Sequence, residues 1–303
     1  MNFQQLEYIV ALHAHRNFTV AAGHCFVTQS TLSSMIQRLE EELDIVIFDR
    51  SKKPVEATPA GLEIIARAQK ILAETAALRH YATELHQGLS GELRMAVIPT
   101  LAPYLLPLFV GNFLRSYPDI HLVVNELTTA SIIRKLQSGE VEIGILALPL
   151  AESEIQEIPL FEEPFYVYQS QGGQQHLKKY LLPADLDTDR LWLLEEGHCL
   201  RTQVMHLCSL RNEAGMHRQL AYEAGSIEAL IQLVDHYEGV TIVPHLAVEQ
   251  LSESKRGQVY AFAHPIPSRT AGLVTRRNYP RIKILEALRA EIITALPPEL
   301  RRL

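Results

Sequence analysis

From Thr58 to His86 the chain offers nothing that stops a helix once it has begun, and that stretch constrains everything around it. Thr58 supplies an N-cap hydroxyl, and Pro59 sits at the first helical position, where a missing N–H costs nothing. Ile64, Ala68, Ile71, Thr75, Leu78, Ala82 and Leu85 follow at alternating steps of four and three, which is a coiled-coil seam. Such a seam needs a second copy to cover it, so the pattern predicts a homodimer. Gly88-Leu89-Ser90-Gly91 closes the helix as a flexible hinge. The long helix therefore divides the chain into a short N-terminal piece and a longer C-terminal one. A total of 303 residues, more than one hydrophobic core usually holds, fits that division.

Composition removes several classes. Hydrophobic residues make up 47% and charged residues 21%, which is neither a disordered chain, a collagen nor a disulfide-stapled miniprotein. No apolar run approaches the roughly 18 residues of a membrane span. The opening Met1-Asn2-Phe3-Gln4-Gln5 lacks the basic and apolar regions of a secretory signal. The expectation is a cytoplasmic protein with no membrane partner and three reduced cysteines. A net charge of −7 argues against bulk polyanion binding, though not against a local DNA site. Residues 1–90 carry 8 Lys and Arg against 10 Asp and Glu, so charge alone does not mark a DNA-binding end.

Patterning does mark one. Phe3, Leu6, Ile9, Val10 and His13 recur at helical spacing, and after His15-Arg16-Asn17 a second helix is expected near Thr19-Val20-Ala21-Ala22. A third helix starts from Thr28 and carries Leu32, Met35, Ile36, Leu39 and Leu43 on one face. The opposite face holds Ser30, Ser34, Gln37 and Arg38, with Gln29 and Thr31 in the first turn. That surface is short, polar and nearly uncharged, as a helix in a major groove needs. Ile45–Arg50 reads as a strand. Arg50, Lys52 and Lys53 then form either a wing that touches phosphates or a solvated basic turn. The candidate DNA contacts are Thr28, Gln29, Ser30, Thr31, Ser33, Ser34, Gln37, Arg38, Arg50, Lys52 and Lys53.

Beyond the hinge, strand-like and helical runs alternate. The strands are Leu93–Ile98, His121–Asn125, Ile143–Ala147, Phe165–Tyr168, Leu191–Leu194, Leu220–Tyr222, Val240–Val243, Val259–Phe262 and Ala271–Thr275. Helices lie at Tyr104–Arg115, Ala130–Gln137, Ile227–Tyr237 and Arg281–Leu296. This predicts an α/β region with largely parallel sheets and two small lobes around a ligand cleft.

Phe18-Thr19-Val20-Ala21-Ala22, Val27-Thr28-Gln29-Ser30-Thr31-Leu32-Ser33, Leu39-Glu40-Glu41-Glu42-Leu43 and Phe48-Asp49-Arg50 resemble the winged helix-turn-helix of LysR-type transcriptional regulators. Ala57-Thr58-Pro59-Ala60-Gly61 resembles the family's entry into its linker helix. The resemblance extends through Gly139-Glu140-Val141-Glu142-Ile143-Gly144-Ile145. Ser30 and Asp44 stand where the family usually has Pro and Gly. The resemblance implies an N-terminal α domain, a winged helix-turn-helix with a long linker helix, followed by an α/β two-lobed regulatory domain of periplasmic-binding-protein type. The corresponding boundaries are 1–58 for the DNA-binding domain, 59–87 for the linker and 91–303 for the regulatory domain. Lobe I would cover approximately 91–163 and 268–303, and lobe II approximately 164–267. It further implies double-stranded promoter DNA and RNA polymerase as partners, assembly beyond the dimer to a tetramer, no cofactor and no enzymatic turnover.

A narrower resemblance lies at Gly197-His198-Cys199-Leu200-Arg201, followed by Cys208. These residues look like the peroxide-sensing members of the family, as do Pro99-Thr100, Thr129 and Pro265-Ile266-Pro267-Ser268-Arg269-Thr270. Thr202 departs from the Asp often found there. A sensor cysteine reacts as the thiolate, which nearby cations and a helix N-terminus favour; His198, Arg201 and a helix over Leu200–Leu210 offer both. By resemblance, Arg269 adds a second cation, Thr100 and Thr129 hold the peroxide oxygens, and sulfenic acid at Cys199 is resolved by Cys208. On one helix those two Cα atoms would stand about 13 Å apart, whereas a disulfide tolerates no more than about 7 Å. The pairing then requires residues 200–208 to unwind on oxidation. A cellular thiol reductant would reverse it.

Other readings remain open at this point. Two cysteines nine positions apart can simply fill a core, and Cys25 is expected to do so. His198, Cys199, His206 and Cys208 can also be set out as a metal site, although the spacing matches no usual zinc pattern. The alternative within the family is a regulator that answers to a small organic effector between its lobes. A thiol peroxidase or a solute-binding protein would have no need of the first 90 residues.

Overall fold

The structure is a computed structural model, and it describes residues 1–87, 89–170, 180–186, 190–195, 198–208, 224–237 and 239–301. The chain separates into two compact units, Met1–Gly88 with Gln137–Glu140, and Leu89–Leu136 with Val141–Leu303.

In the first unit, helices α1 (Phe3–His15), α2 (Phe18–His24) and α3 (Gln29–Leu43) are each started by a side chain. Asn2 and Gln5 cap α1 reciprocally, Asn17 accepts from the amides of Thr19 and Val20, and Thr28 accepts from the amide of Thr31. Because Asn17 is the cap, α2 begins at Phe18 rather than at Thr19. Leu6, Ile9 and Leu12 of α1 bury against Ala21, Ala22, Leu32, Ile36 and Leu39. Each fully buried Leu or Ile stabilises the unit by about 1.5–3 kcal/mol. Asp44 ends α3 in the left-handed region at φ 53°, a conformation Asp tolerates better than most residues.

The strand expected over Ile45–Arg50 shrinks to β1 (Phe48–Asp49), which pairs antiparallel with β2 (Glu56–Ala57). The preceding backbone is taken by other partners. Ile45 donates to the Glu40 carbonyl, and the Glu40 carboxylate accepts from the amides of Ile47 and Phe48 at 2.8 and 3.1 Å. Helix α4 (Pro59–Gln87) then starts with Thr58 Oγ1 accepting from the Gly61 amide. A Cβ at Gly61 would sit 2.1 Å from the Ile47 carbonyl oxygen, so only glycine fits this crossing. The expected seam is narrower than its heptads suggested. Ala68 is 1% exposed within the unit's own core and Ile64 packs beside it, so Ala68 is not free for a second chain. Ile71 and Leu78 are 41% and 68% exposed, Thr75 is half-buried and Ala82 is exposed. The Leu85 side chain lies outside the described residues.

The second unit runs β3 (Gly91–Val97), α5 (Ala102–Ser116), β4 (Ile120–Glu126), α6 (Thr129–Ser138), β5 (Ile143–Leu148) and β6 (Ile155–Gln169). It continues through β7 (Tyr180–Leu181), α7 (Cys199–Leu207), α8 (Ile227–Tyr237), β8 (Val240–Pro244), α9 (His245–Glu249) and α10 (Glu253–Arg256). The last elements are β9 (Val259–Phe262), β10 (Ser268–Arg276) and α11 (Ile282–Ala295). Strand β3 is parallel to β4 and β5, as the alternation predicted. The sheet is nevertheless mixed rather than largely parallel, because β10 returns antiparallel to both β5 and β6. β6 pairs β10 along Ile155–Pro164 and then β8 along Phe165–Gln169, and so passes from one half of the unit to the other.

Only the last third of β6 is readable from apolar pattern, because Pro159, Pro164 and three glutamates interrupt the rest. Pro159 stands opposite Gly272 beside the register shift that leaves Leu160 out of the ladder, and a bulge is one of the places where a strand tolerates proline. Leu191–Leu194 is not a strand but two isolated bridges, Leu191 to Val240 and Leu194 to Ala224. Leu220–Tyr222 lies outside the described residues. Among those residues no helix is long and apolar enough to cross a membrane.

Candidate functional site

The face of α3 predicted to meet DNA is open. Thr28, Gln29, Ser30, Thr31, Ser34, Gln37 and Arg38 are exposed, while Leu32, Ile36 and Leu39 on the other side are fully buried. Several of these groups hold one another: Thr28 Oγ1 lies 3.0 Å from Ser30 Oγ and 2.9 Å from Thr31 Oγ1, and Gln37 donates to Glu41 at 2.9 Å. Ser33 is half-buried and serves Arg50, whose Nη1 lies 3.4 Å from its hydroxyl. Arg50 also pairs with Glu40 at 2.9 Å and stacks over the Phe18 ring at 5.6 Å. In the wing, Lys52 pairs with Glu56 at 2.7 Å, and the bond to Glu56 raises the lysine's proton affinity. Arg50 and Lys52 are therefore each held in place by a carboxylate. Lys53 is exposed beside them. Cys25 packs against the unit's core, and burial followed by the nearby Glu7 pushes its thiol upward, which suits a filler.

The second candidate region surrounds α7. Cys199 is its first helical residue and Cys208 its C-cap, and both thiols are free and half-buried. His198 occupies the N-cap without bonding the helix through its side chain. Its ring is buried, with Nε2 3.4 Å from Glu195 Oε1 and Nδ1 without a partner among the described residues. Arg201 is buried and directs Nη1 to the Leu194 carbonyl at 2.7 Å. At least one of its bonds therefore anchors backbone. At the other end, burial pushes the Cys208 thiol up to about 11. With His198 and Cys199 at one end of α7 and exposed His206 and Cys208 at the other, the four cannot share one ion.

Of the remaining predicted site residues, Thr100 lies in the turn between β3 and α5, Thr129 at the start of α6 and Arg269 on β10. Arg269 brings Thr100 into a network, with Nη1 2.8 Å from Thr100 Oγ1 and Nη2 3.0 Å from the Thr100 carbonyl. Thr129 opens α6, and its hydroxyl is buried with no hydrogen-bond partner among the described residues. One partner of this network was missed from the sequence. Glu163 binds Arg269 through a pair whose side chains are both 0% exposed. A signal existed: Phe161, Glu163, Phe165 and Val167 alternate onto one buried face of β6, and a lone carboxylate on such a face needs a cation. Nearby, Tyr104 donates to Glu228, and burial together with that carboxylate holds the phenol protonated well above its ordinary range.

Comparison with known proteins bears on both regions. The profile described as "Bacterial regulatory helix-turn-helix protein, lysR family" matches residues 3–62, and that described as "LysR substrate binding domain" matches residues 86–297. The chain is 37% identical over 297 residues to the DNA-binding transcriptional dual regulator OxyR of Escherichia coli strain K12, covering 97% of this chain and 95% of that one. It is 36% identical over 281 residues to a hydrogen peroxide-inducible genes activator of Dickeya chrysanthemi, covering 92% and 91%. Among solved structures, a full-length OxyR variant from Pseudomonas aeruginosa superposes with a TM-score of 0.78 at 34% identity, covering 96% of this chain and 94% of that one.

Proposed function

The chain belongs to the LysR family of transcriptional regulators, and from that premise we propose that it controls oxidative-stress genes by sensing hydrogen peroxide through Cys199 and Cys208. The observation that carries the reading is α7 itself, a nine-residue helix with a free cysteine at each end. The full-length similarity to peroxide-inducible activators supports the same reading.

In this reading the Cys199 thiolate attacks one peroxide oxygen. An S–O bond forms as the O–O bond breaks, and the departing hydroxide takes the electron pair and a proton to leave as water. The sulfenic acid at Cys199 then condenses with the Cys208 thiol, forming the disulfide and releasing another water. Thr100 and Thr129 hold the peroxide, and His198, Arg201 and Arg269 supply polar or cationic support. A disulfide cannot span about 13 Å of helix, so α7 must open. That opening is the two-state element a switch requires. Oxidised protein would act as the activator at promoter DNA, in contact with RNA polymerase, and a cellular thiol reductant would reset it in the cytoplasm. Residues 1–58 bind DNA through α3 and the wing, residues 59–87 join two copies along Ile71, Thr75, Leu78 and Ala82, and residues 91–303 carry the sensor. Two such dimers form the tetramer.

Intact mass with thiol labelling, before and after about one equivalent of peroxide, tests this. The expected result is loss of two free thiols and a peptide map joining Cys199 to Cys208. A bridge between any other pair, or no change at all, would replace the reading with a regulator whose second unit binds a small organic effector.

A further inference from the structure

We infer that Glu163 is a positioning residue of the peroxide site, fixing the Arg269 guanidinium so that the Thr100 hydroxyl is left as a directed hydrogen-bond donor. The inference rests on the peroxide reading of Thr100 and Cys199 given above. Glu163 and Arg269 stand directly opposite each other in the β6–β10 ladder, and two residues further on β6 is paired with β8. Glu163 Oε2 accepts from Arg269 Nε at 2.8 Å and lies 2.7 Å from Nη2, while Oε1 accepts from the Leu246 amide at 2.9 Å in α9. The carboxylate thus has partners on both oxygens and lies between elements from the two halves of the sheet.

The far edge of the guanidinium meets both Thr100 oxygens. A guanidinium only donates, so Thr100 Oγ1 is the acceptor in that bond and its own proton must point elsewhere. A hydroxyl held this way offers a donor of set direction, which suits a peroxide oxygen gaining negative charge as the O–O bond breaks. Glu163 touches no peroxide. Its part is to keep the buried cation from turning toward another acceptor, which would release Thr100.

The test compares two reactions of the same thiol in full-length protein. Hydrogen peroxide needs both a thiolate and a donor to the leaving oxygen, whereas iodoacetamide needs the thiolate without the hydroxyl donor. Glu163→Gln should slow peroxide oxidation of Cys199 by about tenfold or more, the scale of one charge-assisted hydrogen bond, and leave alkylation unchanged. Glu163→Asp should recover part of the rate. In a Thr100→Val background Glu163→Gln should cost nothing further. If Glu163→Gln does not fold, Glu163→Asp by itself should show the same split in smaller measure, since its shorter carboxylate cannot hold both Arg269 and the Leu246 amide as Glu163 does. Wild-type peroxide rates, equal slowing of both reactions, or additivity with Thr100→Val would each overturn the role of Glu163. A wild-type Cys199 inert to peroxide would overturn the underlying reading instead.

Discussion

Helix α3, in the region that matches the lysR-family helix-turn-helix, and helix α7, on which the proposed peroxide switch rests, are built differently. The first is capped by the Thr28 side chain and anchored by three fully buried residues, Leu32, Ile36 and Leu39. The second has no side-chain cap, and buries Leu200, Arg201 and Val204 between two half-buried cysteines. Unpartnered polar atoms at His198 and Gln203 lie next to or within it. A recognition helix must keep one shape and present a face; a switch helix must be stable enough to form and weak enough to lose. In the proposed reading, packing rather than helix propensity separates these tasks.

The largest effects should fall on the thiols. Cys199→Ser should abolish both peroxide consumption and the peroxide-dependent change at the promoter. Cys208→Ser should still form sulfenic acid at Cys199 but accumulate it or pass on to sulfinic acid, as read by mass mapping. Peroxide-dependent transcription surviving in Cys199→Ser would remove α7 from the comparison. Next is Ile36→Ala, which opens a cavity under α3 and should cost about 2–5 kcal/mol by chemical denaturation. DNA binding should be lost while Cys199 oxidation continues. The matching truncation Val204→Ala should cost about 2 kcal/mol or less, since fewer buried methyl groups are removed. A Val204→Ala loss as large as that of Ile36→Ala would show that α7 is packed at least as firmly as α3.

Smaller effects sharpen the picture of the DNA face. Lys53→Ala should weaken binding to all sequences and lower the logarithmic salt slope by about 0.9, measured across a salt series. Gln29→Ala should instead relax base preference at particular operator positions with the slope unchanged. Salt-independent losses from both would sink the assignment of wing and helix to phosphate and base.

The smallest effect is a pH dependence of α7. Burial raises the Cys208 thiol from 9.0 to about 11, so the closed helix keeps a proton that the opened segment releases at ordinary thiol values. Below about pH 9 both states are protonated and stability is level; as pH rises from there toward about 11 the closed form loses ground. The melting difference between wild type and Cys208→Ser should follow that course. A difference flat across the window would mean that the thiol is not buried in the closed helix.

Local order was legible because it is written in neighbouring residues. Thr28 before a helical apolar face, Thr58-Pro59 before the long helix and the strand alternation after the hinge each act over a few positions, and α3, α4 and β3–β5 follow them. Where the reading fell short, a distant group had intervened. Glu40 captured the amides of Ile47 and Phe48 and shortened β1, and the first unit's core took Ala68 out of the seam. The antiparallel return of β10 likewise depends on strands more than a hundred residues earlier.

By itself, then, the sequence determined the Thr28 and Thr58 helix starts, the polar face of α3 opposite its apolar one, and the two cysteines that bracket α7, since each depends on spacing along a single element. Tertiary structure alone decided that Arg269 would be neutralised by Glu163 while holding Thr100, 169 positions away. A buried charge takes whatever partner the fold brings within about 3 Å, and that distance is set by strand register and chain crossing rather than by any local pattern.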